Sequence, residues 1–368
     1  MSPDPIFFLD PHAGGLSKTL CSYLYNLPAF SKLRFIEDLH SQRNVQYLIH
    51  SGSSFPLHRL KFPHYLRRLC SYLEFHLWSL LNFKKIHSSI TLNRLPPGSS
   101  IVINAQFLSD SQIKLLYHLD SLNFRIFVYY NHFHTQVELK SLLTTSLNNA
   151  SFILNSPIHS PSKAILDSSK FRYLPFSLSN KYLSPVTPFP RSLKVLIVGS
   201  IVLKDEANAC ELIDQYSSST LNPYRINFYL NHQKYPEVFC NIATVYDPTS
   251  LTTRNYFNID LPDIYSKFTF FVCPEDVTGH CSSHMLEGMS RGCIYFLRDD
   301  TLYADIYKMI PFIHYIPYCG TIEDLVHVWN RIKADTNLLS FISSQSIVLA
   351  SQYTEQSASD TFLTIINS

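Results

Sequence analysis

The sequence predicts an α/β protein built from two doubly wound parallel sheets. Three observations lead there. Short apolar runs alternate with segments whose apolar residues recur every three or four positions, the pattern of buried strands covered by amphipathic helices. A stretch holding Pro185, Pro188 and Pro190 interrupts that alternation near mid-chain. The 368 residues also exceed what one hydrophobic core usually serves.

In the first half the expected strands are Ile6–Leu9, Val45–His50, Ile101–Asn104, Phe124–Tyr130, Ser151–Leu154 and Arg172–Leu174, each too short for a helix. Between them Leu16–Leu27, Tyr65–Phe83, Ser111–Leu119 and Gln136–Leu143 carry the helical spacing. Residues 1–180 are thus expected to form an N-terminal domain and 181–193 a proline-rich linker. Lys194–Gly199 then opens a second sheet. Its further strands are placed at Ile226–Leu230, Thr244–Tyr246, Phe268–Val272, Cys293–Leu297 and Ile313–Ile316. Helices are placed at Ala207–Tyr216, Ser283–Ser290, Thr321–Lys333 and Asn337–Gln352, with a helix or turn at Asp263–Lys267. The second domain covers 194–350, and 351–368 is expected to return as a helix toward the first domain. Two such domains facing each other leave a cleft between the carboxyl ends of their strands, where ligands of open α/β sheets bind.

Hydrophobic residues make up 46% of the chain and charged residues 16%, a composition that excludes a disordered protein. Charge is divided unequally. Residues 1–193 hold 19 basic against 9 acidic side chains, a net +10, and residues 194–368 hold 11 against 19, a net −8. The front half is therefore drawn to anionic material such as a membrane surface, a lipid phosphate or an acidic glycan. Nucleic acid is not expected as a partner, since there is no Arg-rich arm, zinc-finger spacing or RNA-binding aromatic motif. The eight cysteines form no C-x-x-C pair and read as thiols of a reducing compartment. Met1-Ser-Pro-Asp-Pro lacks a basic signal-peptide start, and no apolar run is long enough to span a bilayer. A cytoplasmic location is expected. His64–Lys85 places Leu66, Leu69, Leu73, Leu77 and Leu80 on one helical face beside Arg67, Arg68, Lys84 and Lys85. That stretch reads either as a peripheral contact with the inner face of an anionic membrane or as a helix covering the sheet.

The most informative segment runs from Phe270 to Leu297: strand, polar loop, helix opening, carboxylate, glycine stop, strand. Unpaired N–H groups at a helix start attract phosphate, and a carboxylate one turn on suits ribose hydroxyls. Gly279 would let a phosphate approach, Ser282 or Ser283 would cap the helix, and Glu287 would face the same ligand. An ordinary cap and a solvated glutamate are the alternative. Asp10-Pro-His12-Ala-Gly14-Gly15 follows the first strand and opens a helix, so that its glycines permit close backbone approach, unless it is a plain tight turn.

On these residues the chain resembles the GT-B nucleotide-sugar glycosyltransferases. Phe271-Val-Cys-Pro274, Met285-Leu-Glu-Gly-Met289 and Gly292-Cys-Ile-Tyr295 stand where many of them carry a strand ending in Pro, Leu-Glu-Ala-Met, and a Gly before the next strand. Exostosin-like transferases are similar over Ser266-Lys-Phe268, Cys273-Pro274 and Glu287 to Gly292-Cys293. The α1,3-fucosyltransferases are similar over Lys267-Phe268 and from Gly279 to Gly292, with Ser282-Ser283-His284 in place of Thr-Glu-Lys. The retaining family with two glutamates separated by seven residues matches at Glu287 only, because Gly279 stands at the first position. The resemblance implies a nucleotide-sugar donor and a glycan or lipid-linked acceptor. It places Gly14, Gly15, Gly199, Lys204, Arg254, Gly279, Ser282, Ser283 and Glu287 against the donor, with Ser200 where an arginine often stands. His132, His12 and Asp10 are the candidates for the base that takes the acceptor proton.

No Asp-x-Asp occurs, so neither a metal nor another cofactor is expected, and helix N–H groups with a cation such as Lys204 would stabilise the leaving nucleotide. Two other readings stay open. The Ser282-Ser283 pair also resembles the serines of CMP-sugar enzymes of the Kdo or sialic acid type, and a non-catalytic nucleotide- or sugar-binding protein could use the same fold.

Overall fold

The computed structural model describes residues 6–9, 34–36, 89–90, 95–96, 98–104, 110–130, 147–154, 170–178, 182–183, 191–202, 223–245, 261–274, 283–301 and 303–368. The chain divides into two compact units. Unit 1 comprises residues 1–155, 160–174 and 355–368, and unit 2 comprises 156–159 and 175–354.

Unit 1 contains the strands β1 (Ile6–Leu9), β2 (Arg34–Ile36), β3 (Ser89–Ile90), β4 (Ser100–Asn104), β5 (Arg125–Tyr130), β6 (Ala150–Leu154) and β7 (Phe171–Tyr173). They form one sheet in the order β3-β2-β1-β4-β5-β6-β7, and every pairing is parallel. This is the doubly wound order in which the chain starts mid-sheet and winds outward both ways, with a switch point between β1 and β4. Ile101, Val102, Ile103, Val128, Tyr129, Ile153 and Leu154 are buried, as parallel strands covered on both faces must be. Helix α1 (Asp110–Ser121) ends at Asn123, whose φ of +58° is the left-handed stop that asparagine tolerates. Asp120 near its end accepts the N–H groups of Asn148 at 3.0 Å and Asn149 at 2.7 Å, fixing the turn into β6. The β2 and β3 strands, too short to leave a periodic signal, were not expected from sequence.

Unit 2 contains β8 (Ser192–Val202), α2 (Pro223–Asn231), β9 (Val238–Val245), α3 (Leu261–Ser266), β10 (Phe268–Val272), α4 (His284–Ser290) and β11 (Ile294–Arg298). It continues through α5 (Tyr303–Ile306), β12 (Tyr315–Tyr318), α6 (Ile322–Ile332) and α7 (Thr336–Ser351). The final helix, α8 (Glu355–Asn367), clusters with unit 1, where Arg125 donates to the Ile366 carbonyl at 3.0 Å. The five strands of unit 2 are parallel in the order β12-β11-β10-β8-β9. Counted within the unit this is 2-1-3-4-5, the flavodoxin-like arrangement.

Alternate residues of β8 serve two cores. Val195 and Ile197 face α2 and α6 with Phe270, Val272, Phe296, Ile226 and Phe228, whereas Leu196 and Val198 face α3, α4 and α7 with Phe271, Tyr295, Met285 and Leu286. Fully burying one such side chain contributes roughly 1.5–3 kcal/mol, so the two faces hold unit 2 together.

Three expectations are corrected. Ile226–Leu230 is helical, not a strand: Pro223 suits the first helical position, and burial of Ile226 and Phe228 overrides their extended propensity. The strand placed at Thr244–Tyr246 begins at Val238, because its half-exposed edge (Phe239 47% exposed) breaks the apolar run. The strand placed at Ile313–Ile316 lies at Tyr315–Tyr318, after a turn at Phe312 with φ +60°. The segments Val45–His50, Leu16–Leu27, Tyr65–Phe83, Gln136–Leu143 and Ala207–Tyr216 lie outside the described residues.

Helix α4 sits close on β10 because Gly288 has no side chain. A Cβ there would lie 2.5 Å from the Phe271 ring, itself stacked on Tyr295 at 4.8 Å between centroids. Gly288→Ala is therefore expected to lower unfolding stability by about 1–3 kcal/mol, read as a reduced urea midpoint with an unchanged slope; an unchanged midpoint would contradict this packing.

Candidate functional site

In a 2-1-3-4-5 sheet the crevice opens where the chain reverses direction, here between β8 and β10 at their carboxyl ends. The register locates it. β10 pairs with β8 up to Val272 opposite Ile197, while β8 continues beside β9 until Val202 meets Val245. The β8–β10 ladder ends at Ile197, and the same register carried on sets Gly199 level with Pro274.

Gly199 lies on the face of β8 that α2 covers. Its φ is +155°, and a Cβ built on it would come within 2.8 Å of Arg225 Cδ and Nε. Glycine thus lets the Arg225 side chain cross the strand, and its Nε–H donates to the Pro274 carbonyl at 3.3 Å. Tyr224, the preceding residue, lies under the Arg298 guanidinium at 3.9 Å from the ring centroid. Arg298 closes the carboxyl end of β11 and pairs with Asp300 through Nε at 2.9 Å and Nη2 at 2.5 Å. Gly320, with φ +105°, gives its aliphatic stem room.

On the other side of the sheet, Glu287 occupies the first turn of α4. Its Oε2 lies 2.9 Å from His284 Nδ1, and since an ionised carboxylate only accepts, Nδ1 carries the hydrogen. The phenol of Tyr182 is fully buried; burial first and then the charge of Glu287 hold its pKa well above the ordinary range. Tyr265 is shifted the same way, by burial first and then by Glu287. Glu287, with 16% of its side chain exposed, is paired with an imidazole, unlike a solvated helix carboxylate.

The far end of α4 is closed by left-handed Gly292, φ +76°, with Gly292 N–H bonded to Met289 O and Cys293 N–H to Gly288 O. Arg291, buried, donates to Ser266 Oγ from Nε and Nη2, and burial lowers its pKa. The Cys293 thiol, against the Tyr265 and Phe268 carbonyls, is pushed up to about 12 by burial, which makes it a packing group without nucleophilic character at neutral pH.

Of the residues singled out from sequence, Gly199, Ser283 and Glu287 are described. Gly199 lies just past the end of the β8–β10 ladder, and Ser283 and Glu287 lie at the start of the helix that follows β10. Of the two serines expected as the cap, Ser283 does not serve: it has helical angles (φ −55°, ψ −24°) and its side chain makes no capping bond, whereas a cap requires extended backbone. Asp10, His12, Gly14, Gly15, His132, Lys204, Arg254, Gly279 and Ser282 lie outside the described residues, as does the stretch 64–85. Asp10 follows directly on β1, which ends at the switch point of unit 1. Sequence reading missed Arg225, hidden in a segment taken for a strand; Pro223 two residues before it was the available signal. Among the described residues no three His, Cys, Asp or Glu side chains cluster as a metal would require, and no helix is long and apolar enough to cross a membrane.

Solved structures share this architecture over the whole chain. Anabaena HepE in complex with UDP-glucose aligns with a TM-score of 0.54 at 11% identity, covering 99% of each chain. The fold is that of the GT-B proteins. A glycosyltransferase from Rickettsia africae (0.53, 9% identity, 100% of this chain and 98% of that one) and sucrose-phosphate synthase from Thermosynechococcus elongatus (0.53, 12%, 99% and 98%) align equally well. No protein-family model and no curated protein sequence matches the chain. Identity this low places the GT-B likeness in backbone arrangement and leaves the side chains to be argued individually.

Proposed function

We propose that this protein is a glycosyltransferase that moves a sugar from a nucleotide-sugar to a glycan or lipid-linked acceptor in the synthesis of a surface polysaccharide or glycoconjugate. The observation that carries the reading is Glu287, largely buried and paired with His284 on the helix that follows β10, at the switch point of a GT-B sheet. Two neighbours of the same fold support it: HepE is described in complex with UDP-glucose, and another is a sucrose-phosphate synthase.

In the reaction the acceptor oxygen bonds to the anomeric carbon as the bond from that carbon to the phosphate oxygen breaks. The electron pair leaves with the nucleotide, and the acceptor proton passes to a base, for which His132, His12 and Asp10 are the candidates. Glu287 takes the ribose hydroxyls. Gly14, Gly15, Gly199, Gly279, Ser282 and Ser283 bring backbone and hydroxyl donors to the donor, and Lys204 and Arg254 offset the phosphate charge. Stabilisation of the leaving group is then electrostatic and needs no metal ion or other cofactor. The net +10 of residues 1–193 suits an anionic acceptor, and residues 64–85 are the proposed contact with the inner face of a membrane around a cytoplasmic enzyme.

Thermal unfolding with UDP, GDP, CDP and CMP at millimolar concentration tests the reading. A ligand at one hundred times its Kd adds about 2.7 kcal/mol to the folded state, so one diphosphate should raise Tm by several degrees, and Glu287→Gln should remove most of that rise. A response to CMP alone would replace the donor by a CMP-sugar. Binding without turnover of the matching sugar nucleotide would point to a non-catalytic binding protein, and no response to any nucleotide would overturn the proposal.

A further inference from the structure

We propose that the outward face of α7 is a dimerisation surface that takes a second copy of this chain, the two α7 helices lying antiparallel about a two-fold axis. This surface is independent of the glycosyl-transfer reading. α7 carries no charged residue, and none occurs between Asp335 and Glu355. A helix that faces water ordinarily shows charge there, as α6 does with Glu323 and Arg331. One side of α7 is buried through Leu339, Ile342, Ser346 and Leu349. The other side exposes Asn337, Phe341, Ser344, Val348 and Ser351, with Phe341 48% and Val348 56% exposed.

These five residues recur at steps of four, three, four and three, the spacing of a seam that packs on another helix. In an antiparallel pair each bulky residue of one copy falls in a layer with a small one of the other, Phe341 opposite Ser351 and Val348 opposite Ser344. The face thus complements itself, as an isologous contact requires. Charge favours a second copy over an anionic bilayer. Residues 194–368 carry a net −8, which repels anionic lipid, and on a charge-free face two such units meet without opposing like charges. Ser343 Oγ donates to Gly292 O at 2.8 Å and Ser346 Oγ to His314 O at 2.7 Å, which lays α7 along the amino ends of β11 and β12. The contact therefore leaves the carboxyl edge of that sheet uncovered. The turn before His314 exposes half of Ile310 and of Phe312, adding apolar surface next to α7. The seam is about 21 Å long at the α-helical rise, a small interface, so reversible association at micromolar concentration is expected.

Analytical ultracentrifugation of the full chain through the micromolar range tests this. The wild type should pass from monomer to dimer as concentration rises. Val348→Glu should raise the dimer dissociation constant at least tenfold. An equimolar mixture of Val348→Glu with Ser344→Lys should recover the dimer, because the antiparallel pair brings the two new charges into one layer. Both positions are exposed, so both variants should melt as the wild type does. A wild type that stays monomeric throughout the range overturns the proposal, as does a dimer that Val348→Glu leaves unchanged or that the mixture fails to recover. Binding of a monomeric wild type to phosphatidylcholine vesicles, lost in Val348→Glu, would assign the face to a bilayer and overturn the proposal as well.

Discussion

The β8–β10 ladder ends at Val272, and that end marks the switch point of the unit 2 sheet, where ligands of open α/β sheets bind. Past Ile197 the β8 ladder continues with β9, up to Val202 opposite Val245. Helix α2, which follows β8, and helix α4, which follows β10, pack on opposite faces of the sheet. Arg225 enters from α2 on one face, and Glu287 stands on α4 on the other. A cation and a carboxylate reach the same edge because the strand order brings them there, although 61 residues of sequence lie between them.

The layers beneath that edge are tightly packed. Phe271, Tyr295 and Gly288 bring α4 into contact with the sheet, while Arg191 ties the two ends of the α4 region by donating to Arg291 O at 2.7 Å and Phe268 O at 3.4 Å. The buried Arg291 guanidinium would cost several kcal/mol if left unsatisfied; its bonds to Ser266 and the partial charges of the helix end offset that cost. Glu287, largely buried and paired with His284, stands on this framework, so the proposed ribose contact is held by the core and not by solvent.

The strands with strong apolar runs were legible, among them Ile6–Leu9, Phe268–Val272 and the start of β8, since a fully buried parallel strand has no other composition available. Helices with Gly stops or polar caps were legible too, such as α6 behind Thr321, whose hydroxyl accepts from Asp324 N–H. Ile226–Leu230 was not, because Ile-Asn-Phe-Tyr-Leu alternates as a strand does and only its packing on Val195 and Ile197 makes it helical. The error also concealed Arg225. Glu287 could be read from its place after β10, but its surroundings could not: His284 is three residues away, whereas Tyr182 is over a hundred residues earlier and belongs to no motif.

The central claim is that a nucleotide's phosphates settle at the carboxyl edge of unit 2, between β8 and β10. Hydrogen exchange with and without a saturating nucleoside diphosphate measures this directly. Slower exchange at residues 199–202, at Cys273 and in the first turns of α2 and α4, with the amino ends of the same strands unchanged, is the result the account predicts. Protection confined to unit 1, or to the opposite edge of the unit 2 sheet, would contradict it.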